Sequence, residues 1–485
     1  NETSNTGQTI KTKQAEKPKI SKEEQARLES IKKIEERKKK IEIIRKKLRL
    51  RGLILKGDIH FKNGDYTSAL VKYLQIYKQV PNDSGVINDI AKVYYNLKKF
   101  NKSYFYFSKI KDYDRLDKDL VAKALISSKE LNSKNIDYIL GELDTLGLSE
   151  EQLFYYKNSL RCKQDFSFCK QKFQDYFDEE IKTASGEIIE RQINFSPLLD
   201  IKTALNNYKN SKLDDLSYKG ALVSGVFFVN GLYPIAIETS KTILKDKKDY
   251  KPLLKIVAKS YYELGNYIQA KIYLIKYNKL VDNDYEASYF TGRIYEKLHD
   301  YVLSNIHFQK ALKLGFPDKL DIQRRILLNY YELGETNRML KIFTSIINDF
   351  PNQINENDYE LAIYYHIVNN KLDEAKTITD KAIKKYPKSE TFNGYMGWIL
   401  LEQNNDDFKQ AEEYINSGLK INTKDPMLNL VKAKLETKMG NLDKAFIYFK
   451  KTISLDKNGE FGKIAKIELD KIEVGNSKTD TTNQN

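Results

Sequence analysis

A spacing of about 34 residues recurs along this chain of 485 residues and restricts its fold to a repeat architecture. Successive units start 34 to 36 residues apart, except for one gap of 133 residues in the middle of the chain. A unit of this length cannot bury its apolar face alone, so neighbouring units must stack on one another. The nine units begin at Leu50, Ser84, Ser217, Lys251, Tyr285, Leu320, Glu356, Phe392 and Pro426.

Equivalent positions in the units carry equivalent side chains. In the unit that begins at Lys251, positions eight, eleven, fifteen, seventeen and twenty are Ala258, Tyr261, Gly265, Tyr267 and Ala270. Small residues let two helices approach closely, and bulky residues fill the space between them. Glycine at position fifteen ends the first helix in a left-handed conformation. The pattern therefore predicts two antiparallel helices joined by a tight turn in each unit.

The composition also favours helices. Gly (22) and Pro (9) are scarce, whereas sandwiches and barrels need a turn signal every ~8–12 residues. Apolar residues make up 41% and charged residues 31%, which excludes a disordered polymer. We therefore predict an all-α fold.

This pattern resembles the tetratricopeptide repeat over about two-thirds of the chain. The resemblance implies a superhelical solenoid of antiparallel helix pairs that binds other proteins or peptides without catalysis. The content of Lys, Asn, Ile and Tyr and the style of the repeats are also similar to tetratricopeptide proteins of the bacterial envelope. These include the proteins that build the periplasmic flagellar collar of spirochaetes.

The sequence predicts seven segments. They are a disordered tail (1–20), a basic amphipathic helix (21–49), an N-terminal repeat array (50–182) whose last two units (118–148 and 149–182) are degenerate, an irregular insert or joint (183–216), a C-terminal array (217–459), a capping helix (460–475) and a second disordered tail (476–485).

Most of the net charge of +15 lies near the N-terminus, because residues 1–56 hold 18 Lys and Arg against 8 Asp and Glu. Within this arm, an apolar stripe runs along a basic helix. We expect this helix to dock on the first repeat, to form a coiled coil or bind a partner, or to contact an anionic membrane or nucleic acid. The stripe consists of Leu28, Ile31, Ile34, Ile41, Ile44 and Leu48.

No phosphate-binding loop, dinucleotide-binding loop, nucleophile elbow or zinc-protease motif occurs in the sequence. His60 and His366 occupy position eleven of their units, so we interpret them as core residues. His299 and His307 are not spaced as a helical ligand pair. We predict no catalytic residue, metal site, cofactor or small-molecule substrate.

Cys162 and Cys169 are the only cysteines. Because the repeat phase places a helix turn between them, they can face each other across a hairpin. A disulfide and a pair of inert buried thiols are both consistent with this placement.

The resemblance also implies where a partner binds, because first-helix positions two, five, nine and twelve usually face the inner groove. Aromatic rings and cations there are typical of binding hot spots. A clamp for acidic C-terminal tails is not expected, since Ile54 and Asp58 replace its residues. The predicted groove residues are Asn88, Lys92, Tyr95, Phe228, Lys255, Lys259, Tyr262, Tyr289, Arg293, Glu296, Tyr364 and Trp398.

We therefore predict a protein-interaction scaffold that assembles a multi-protein complex. The alternatives are an enzyme's regulatory subunit and a binder of RNA or an anionic membrane through residues 21–51, with nucleic acid the less favoured partner. The chain starts with Asn, so we expect a targeting segment or membrane anchor upstream of residue 1. This favours a tethered periplasmic or envelope protein over a cytoplasmic one.

Overall fold

The computed structural model describes residues 22–111, 116–403 and 408–480. These residues form 24 helices and one two-stranded sheet, which confirms the all-α prediction. The chain divides into two compact units, residues 1–273 and 274–485, called unit 1 and unit 2 below. The predicted tails at 1–20 and 481–485 lie outside the described residues. No helix in the described part of the chain is both long and apolar enough to cross a bilayer.

Unit 1 consists mainly of helix hairpins. Its elements are α1 (Lys22–Lys62), α2 (Tyr66–Tyr77), α3 (Ser84–Asn96), α4 (Phe100–Phe107), α5 (Lys118–Ser127), α6 (Ser133–Thr145), α7 (Glu150–Arg161), α8 (Phe166–Asp178), β1 (Glu180–Lys182), β2 (Ile188–Glu190), α9 (Ser196–Asn210), α10 (Leu216–Val229), α11 (Tyr233–Leu244) and α12 (Lys251–Glu263). The next helix, α13 (Tyr267–Leu280), contains the boundary between the units.

Unit 2 also consists of helix hairpins. Its helices are α14 (Tyr285–Lys297), α15 (Tyr301–Lys313), α16 (Lys319–Glu332), α17 (Thr336–Asp349), α18 (Glu356–Val368), α19 (Leu372–Lys385), α20 (Glu390–Gln403), α21 (Lys409–Ile421), α22 (Pro426–Lys438), α23 (Leu442–Leu455) and α24 (Glu460–Asp480). Consecutive helices pack on one another, and one apolar core runs from Leu320 to Leu469. This is the architecture of tetratricopeptide repeats.

The turn between the two helices of a predicted repeat lies at position fifteen wherever the structure describes it. At this position, eight of the nine repeats have a residue with positive φ. The corresponding residue of the ninth repeat, Asp406, lies outside the described residues. Glycine adopts this conformation without a steric penalty, whereas other residues do so at a cost of roughly 1–2 kcal/mol. Five of the eight are glycines, and the other three are Lys98, His299 and Asn370.

In the repeat that begins at Tyr285, the small residue at position eight leaves room for a ring inside the hairpin. A Cβ atom added to Gly292 on α14 would lie 2.6 Å from the ring of Phe308 on α15, and Phe308 is fully buried. Ser304, at position twenty, donates a hydrogen bond to the Gly292 carbonyl oxygen at 2.9 Å. Tyr261 was expected in the core as well, but it is only half-buried, and Lys241 Nζ lies 2.6 Å from its hydroxyl.

The basic segment differs from the prediction of a separate helix over 21–49. α1 runs without a break from Lys22 to Lys62 and includes the first helix of the first repeat. Residues 31–49 are all exposed, so the interpretation that this stretch docks on the first repeat is wrong. The repeat positions could not reveal the length of α1, because the start of the first repeat at Leu50 lies inside one continuous helix.

Residues 183–216 lie within unit 1 and do not mark the boundary between the two units. β1 and β2 pair as an antiparallel hairpin with Ile181 opposite Ile189, and α9 then packs on α8 and α10. At the other end of the chain, α24 continues to Asp480, past the predicted start of the tail at 476.

A buried ion pair replaces the aromatic residue at position eleven of the last repeat. Lys432 and Glu436 lie four residues apart on α22, their Nζ and Oε1 atoms are 3.1 Å apart, and both side chains are buried. Lys432 also pairs with Glu412, and Asn441 donates to Glu436 Oε2 at 2.9 Å. Burial acts to raise the pKa of Glu436, but the hydrogen bonds from Asn441 and Lys432 outweigh it and lower that pKa.

The structure places the two cysteines on either side of the α7–α8 turn. Their sulfur atoms are joined, their Cα atoms are 4.9 Å apart, and both residues are fully buried. This Cα separation is within the usual range for disulfides.

The hairpin packing predicts the effect of removing one ring. Phe308→Ala should lower the free energy of unfolding by about 3–5 kcal/mol, because it leaves a cavity against Gly292. Ile306→Ala on the same helix is the control; Ile306 is 53% exposed, and the expected change is below about 0.5 kcal/mol. Urea unfolding measures both, and equal effects would show that the register of the hairpin is wrong.

The buried ion pair predicts a pH dependence. Glu436→Gln should lower the free energy of unfolding at neutral pH by about 1–3 kcal/mol. The pKa of Glu436 is lower in the folded chain than in the unfolded chain. The stabilisation is therefore complete above the unfolded value of about 4.3 and is lost as the pH falls through the folded value.

Urea titrations at neutral and acid pH test this, and the difference between wild type and Glu436→Gln should shrink in acid. Glu413→Gln removes an exposed carboxylate from the neighbouring helix α21 and should change little at either pH. A constant difference across the pH range would contradict the ion pair.

The cysteine geometry predicts a redox-dependent stability. Under oxidising conditions, Cys162→Ser should lower the free energy of unfolding by about 2.5 kcal/mol, the loop-closure value for so short a loop. Reduction should remove most of the difference between wild type and variant. Mass spectrometry of unreduced peptides should recover the two cysteines linked, and two free thiols in air-oxidised protein would exclude the bond.

Candidate functional site

The predicted groove residues of unit 1 lie on three helices. Asn88, Lys92 and Tyr95 are on α3, Phe228 is on α10, and Lys255, Lys259 and Tyr262 are on α12. The structure brings α10 and α12 together at these residues, because Lys259 Nζ lies 5.1 Å from the centre of the Phe228 ring. Tyr95 packs instead on Phe100, with ring centroids 5.3 Å apart, and Tyr262 packs on Tyr267 at 5.5 Å.

The predicted groove residues on α14 bind one another and the next hairpin. Tyr289 donates a hydrogen bond to Asp321 at 2.8 Å, and Arg293 donates to the Tyr289 hydroxyl at 3.0 Å. Arg325 on α16, which the sequence analysis missed, bridges Glu296 at 3.1 Å and Asp321 at 2.8 Å. Two arginines and two carboxylates thus neutralise each other, so this set is a structural link between α14 and α16.

Tyr364 and Trp398 line a concave cavity in unit 2, called the Tyr364 groove below. It has a volume of about 1210 Å³ and lies among α16, α18, α20, α22 and α24. The predicted capping helix α24 contributes one wall through Glu460 and Phe461. Seven aromatic rings line the groove: Tyr330, Tyr331, Tyr364, Tyr365, Tyr395, Trp398 and Phe461.

Tyr364 lies at the centre of this aromatic surface. Its ring is 5.8 Å from the Phe461 ring and 6.4 Å from the Trp398 ring, both edge to face. Burial raises the pKa of Tyr364, and the nearby charge of Glu460, with which its hydroxyl forms a hydrogen bond, raises it further. The hydroxyl therefore stays protonated at neutral pH and serves as a hydrogen-bond donor.

Trp398 forms the floor of the groove, and little of its ring faces a partner. It is only 3% exposed, and its Nε1 donates to Glu402 Oε1 at 3.1 Å. Lys434 Nζ lies 2.6 Å from the same oxygen and 5.1 Å from the Trp398 ring centre. Trp398 therefore lines the groove, but its ring is covered by neighbouring side chains and does not face a partner as predicted.

The groove carries an excess of negative charge. Its charged lining residues are Glu332, Glu360, Glu402, Glu460 and Lys434. Glu402 and Lys434 neutralise each other; burial opposes ionisation of Glu402, but the bonds from Lys434 and Trp398 lower its pKa. No lysine or arginine among the described residues pairs with the other three carboxylates.

Glu360 is a groove carboxylate whose charge no described residue neutralises. It is half-buried on α18 and has no hydrogen bond or ion pair to any residue in the described part of the chain. Burial raises its pKa, and the charges of Glu356, Asp425 and Glu390 raise it further. The sequence analysis missed Glu360, although it occupies position five of its unit, a position that the resemblance assigns to the groove.

A second cavity, of about 770 Å³, lies in unit 1 and has the opposite charge. Six lysines line it against two glutamates, but Lys98 already pairs with Glu263 at 2.6 Å, and Lys241 contacts Tyr261. The lysines in this cavity are Lys98, Lys99, Lys102, Lys129, Lys163 and Lys241.

The histidines occupy structural places. His366 is buried, and its Nδ1 lies 2.7 Å from the Ala362 carbonyl oxygen, as expected for a core residue. His60 is not in the core, because about a third of its side chain is exposed and it pairs with Asp65 at 3.0 Å. His307 stacks on Tyr295, and burial lowers its pKa. Within the described ranges, no group of three or more His, Cys, Asp or Glu residues could hold a metal ion.

No protein-family model and no curated protein matches this sequence. Among solved structures, MamA is 22% identical and aligns 97% of its length with 36% of this chain at a TM-score of 0.30. YrrB, a tetratricopeptide protein with an unusual peptide-binding site, is 16% identical and aligns 97% of its length with 40% of this chain at 0.31. Yeast Tom70 is 14% identical and aligns 97% of its length with 89% of this chain at 0.29. The tetratricopeptide architecture of the chain rests on its helix hairpins and their turns.

Proposed function

We propose that this chain is a non-enzymatic scaffold whose Tyr364 groove binds a segment of another protein that carries a lysine or arginine side chain. The observation that carries the proposal is the position of Glu360, half-buried and without an ion pair, in a groove lined by aromatic rings. A carboxylate in such a place is destabilised until a cation neutralises it.

The aromatic lining supports the same type of partner. Lysine and arginine side chains bind well against aromatic faces, and arginine also forms paired hydrogen bonds with a carboxylate. The volume of about 1210 Å³ exceeds what one side chain fills, so a polypeptide segment fits better than an isolated cation. Tyr331, which is 53% exposed, supplies contact area at the rim.

A binding role also agrees with the chemistry of the lining. Among the described residues, the groove lining includes no histidine or cysteine, and its half-buried carboxylate Glu402 is already paired with Lys434. The groove thus offers shape, aromatic surface and negative charge, which are properties of a recognition site.

We further propose that the partner belongs to an assembly of the bacterial envelope, such as a periplasmic flagellar complex. This rests on the composition and repeat style of the sequence. The paired cysteines also support it, because disulfides persist in oxidising compartments.

Fluorescence of Trp398, the only tryptophan, offers a direct test of groove binding. We expect an acetylated peptide that contains two arginines in a Gly–Ser–Tyr background to change the emission of Trp398 with saturation. The same peptide with glutamate in place of arginine should have no effect. Glu360→Gln should weaken binding by about tenfold, the value of one charge-assisted interaction.

Glu413→Gln is the matched control, because it removes the same charge from an exposed position outside the groove. Its affinity for the arginine peptide should equal that of wild type. The proposal fails if the arginine and glutamate peptides bind equally, or if both glutamate variants lose the same affinity.

A further inference from the structure

Helix α1 has two apolar faces that point in opposite directions. Leu50, Ile54 and Phe61 form one face and pack into the core of the first hairpins. Ile34, Ile41, Leu48 and Leu55 follow one another at seven-residue intervals and form the other face. Leu48 and Leu50 differ by two positions, which is about 200° around a helix. The second face, called the outer row below, therefore points away from the first hairpin.

The outer row is exposed along its whole length. Its exposed fractions are 51% for Ile34, 49% for Ile41, 60% for Leu48 and 61% for Leu55. Leu55 is exposed even though its neighbour Ile54 packs into the core. No described element of unit 1 covers the row, so its apolar surface is available to an external partner.

Cations surround the outer row. Residues 31–51 contain eleven Lys and Arg and three Glu. Lys38 and Arg45 each follow a row residue by four positions, so their side chains flank the row. Long cationic side chains can bury their methylene stems beside an apolar face and direct their charged ends to anionic headgroups.

We propose that α1 binds an anionic lipid surface and lies in the interface with its outer row among the acyl chains. An amphipathic helix with an apolar row and basic flanks has the chemistry that such a surface recognises. Each lysine or arginine near an anionic membrane adds about 1 kcal/mol to binding at moderate salt. The helix lies on the membrane and does not span it.

Two other partners fit the residues less well. Residues 31–51 contain no aromatic residue for stacking on bases, and an apolar row adds nothing to phosphate contacts. A coiled coil with a second copy would need apolar residues three positions after each row residue as well. Arg37 and Arg51 occupy those positions after Ile34 and Leu48. Like charges on the two copies would also repel each other.

Flotation of the full chain with vesicles tests the proposal. We expect binding to phosphatidylcholine vesicles that contain phosphatidylglycerol, weak binding to phosphatidylcholine alone, and a loss of binding at high salt. Ile41→Ser should weaken binding by about tenfold, because it removes one fully inserted side chain. Replacing Lys38 and Arg45 by glutamate should weaken it at least as much.

Ile43→Ser is the matched control. Ile43 is the same residue type with a similar exposure of 55%, but it lies off the outer row, so its substitution should change binding less than about twofold. Circular dichroism must show unchanged helicity in both variants. Equal losses for Ile41→Ser and Ile43→Ser would overturn the proposal. So would RNA binding that depends on the cations but not on Ile41, or a dimer that Ile41→Ser dissociates without any vesicle binding.

Discussion

The close approach of two helices at a small residue, with a ring packed into the space, is the contact on which the α1–α2 and α14–α15 hairpins depend. Gly292 leaves room for Phe308 in unit 2, and Gly57 leaves room for Tyr73 in unit 1, where an added Cβ would again lie 2.6 Å from the ring. A hairpin closed in this way still exposes an apolar face, so it needs the next hairpin. The groove therefore exists only as a product of stacking.

The sequence allowed the turns to be predicted to the residue because a turn is a local constraint. Position fifteen must adopt a left-handed conformation, and the glycines at this position, Gly64, Gly265 and Gly440, indicate that conformation from the sequence alone. The length of α1 was missed for the opposite reason, since the repeat alignment sets a boundary at Leu50 where the helix has none. Composition outside the repeat positions did indicate a continuous helix, because no proline interrupts residues 22–62.

Groove residues were harder to predict because the exposure of a side chain depends on the neighbouring repeats. Tyr364 lines the cavity in unit 2, but position in the repeat could not reveal that Trp398 is covered or that Arg325 neutralises Glu296. Those outcomes depend on side chains about 30 residues away in the sequence. Glu360 is a different case, because its position in the repeat already indicated that it faces the groove. Only the structure could show that no cation pairs with it.

The continuity of α1 has a mechanical consequence. The helix passes from its projecting part into the first hairpin without a hinge, and residues 31–48 alone span about 27 Å at 1.5 Å per residue. Because α1 is continuous, a rotation of residues 31–48 also rotates the part of α1 that packs on α2. Inserting a few glycines near residue 49 would uncouple the two parts and let the first hairpin reorient freely.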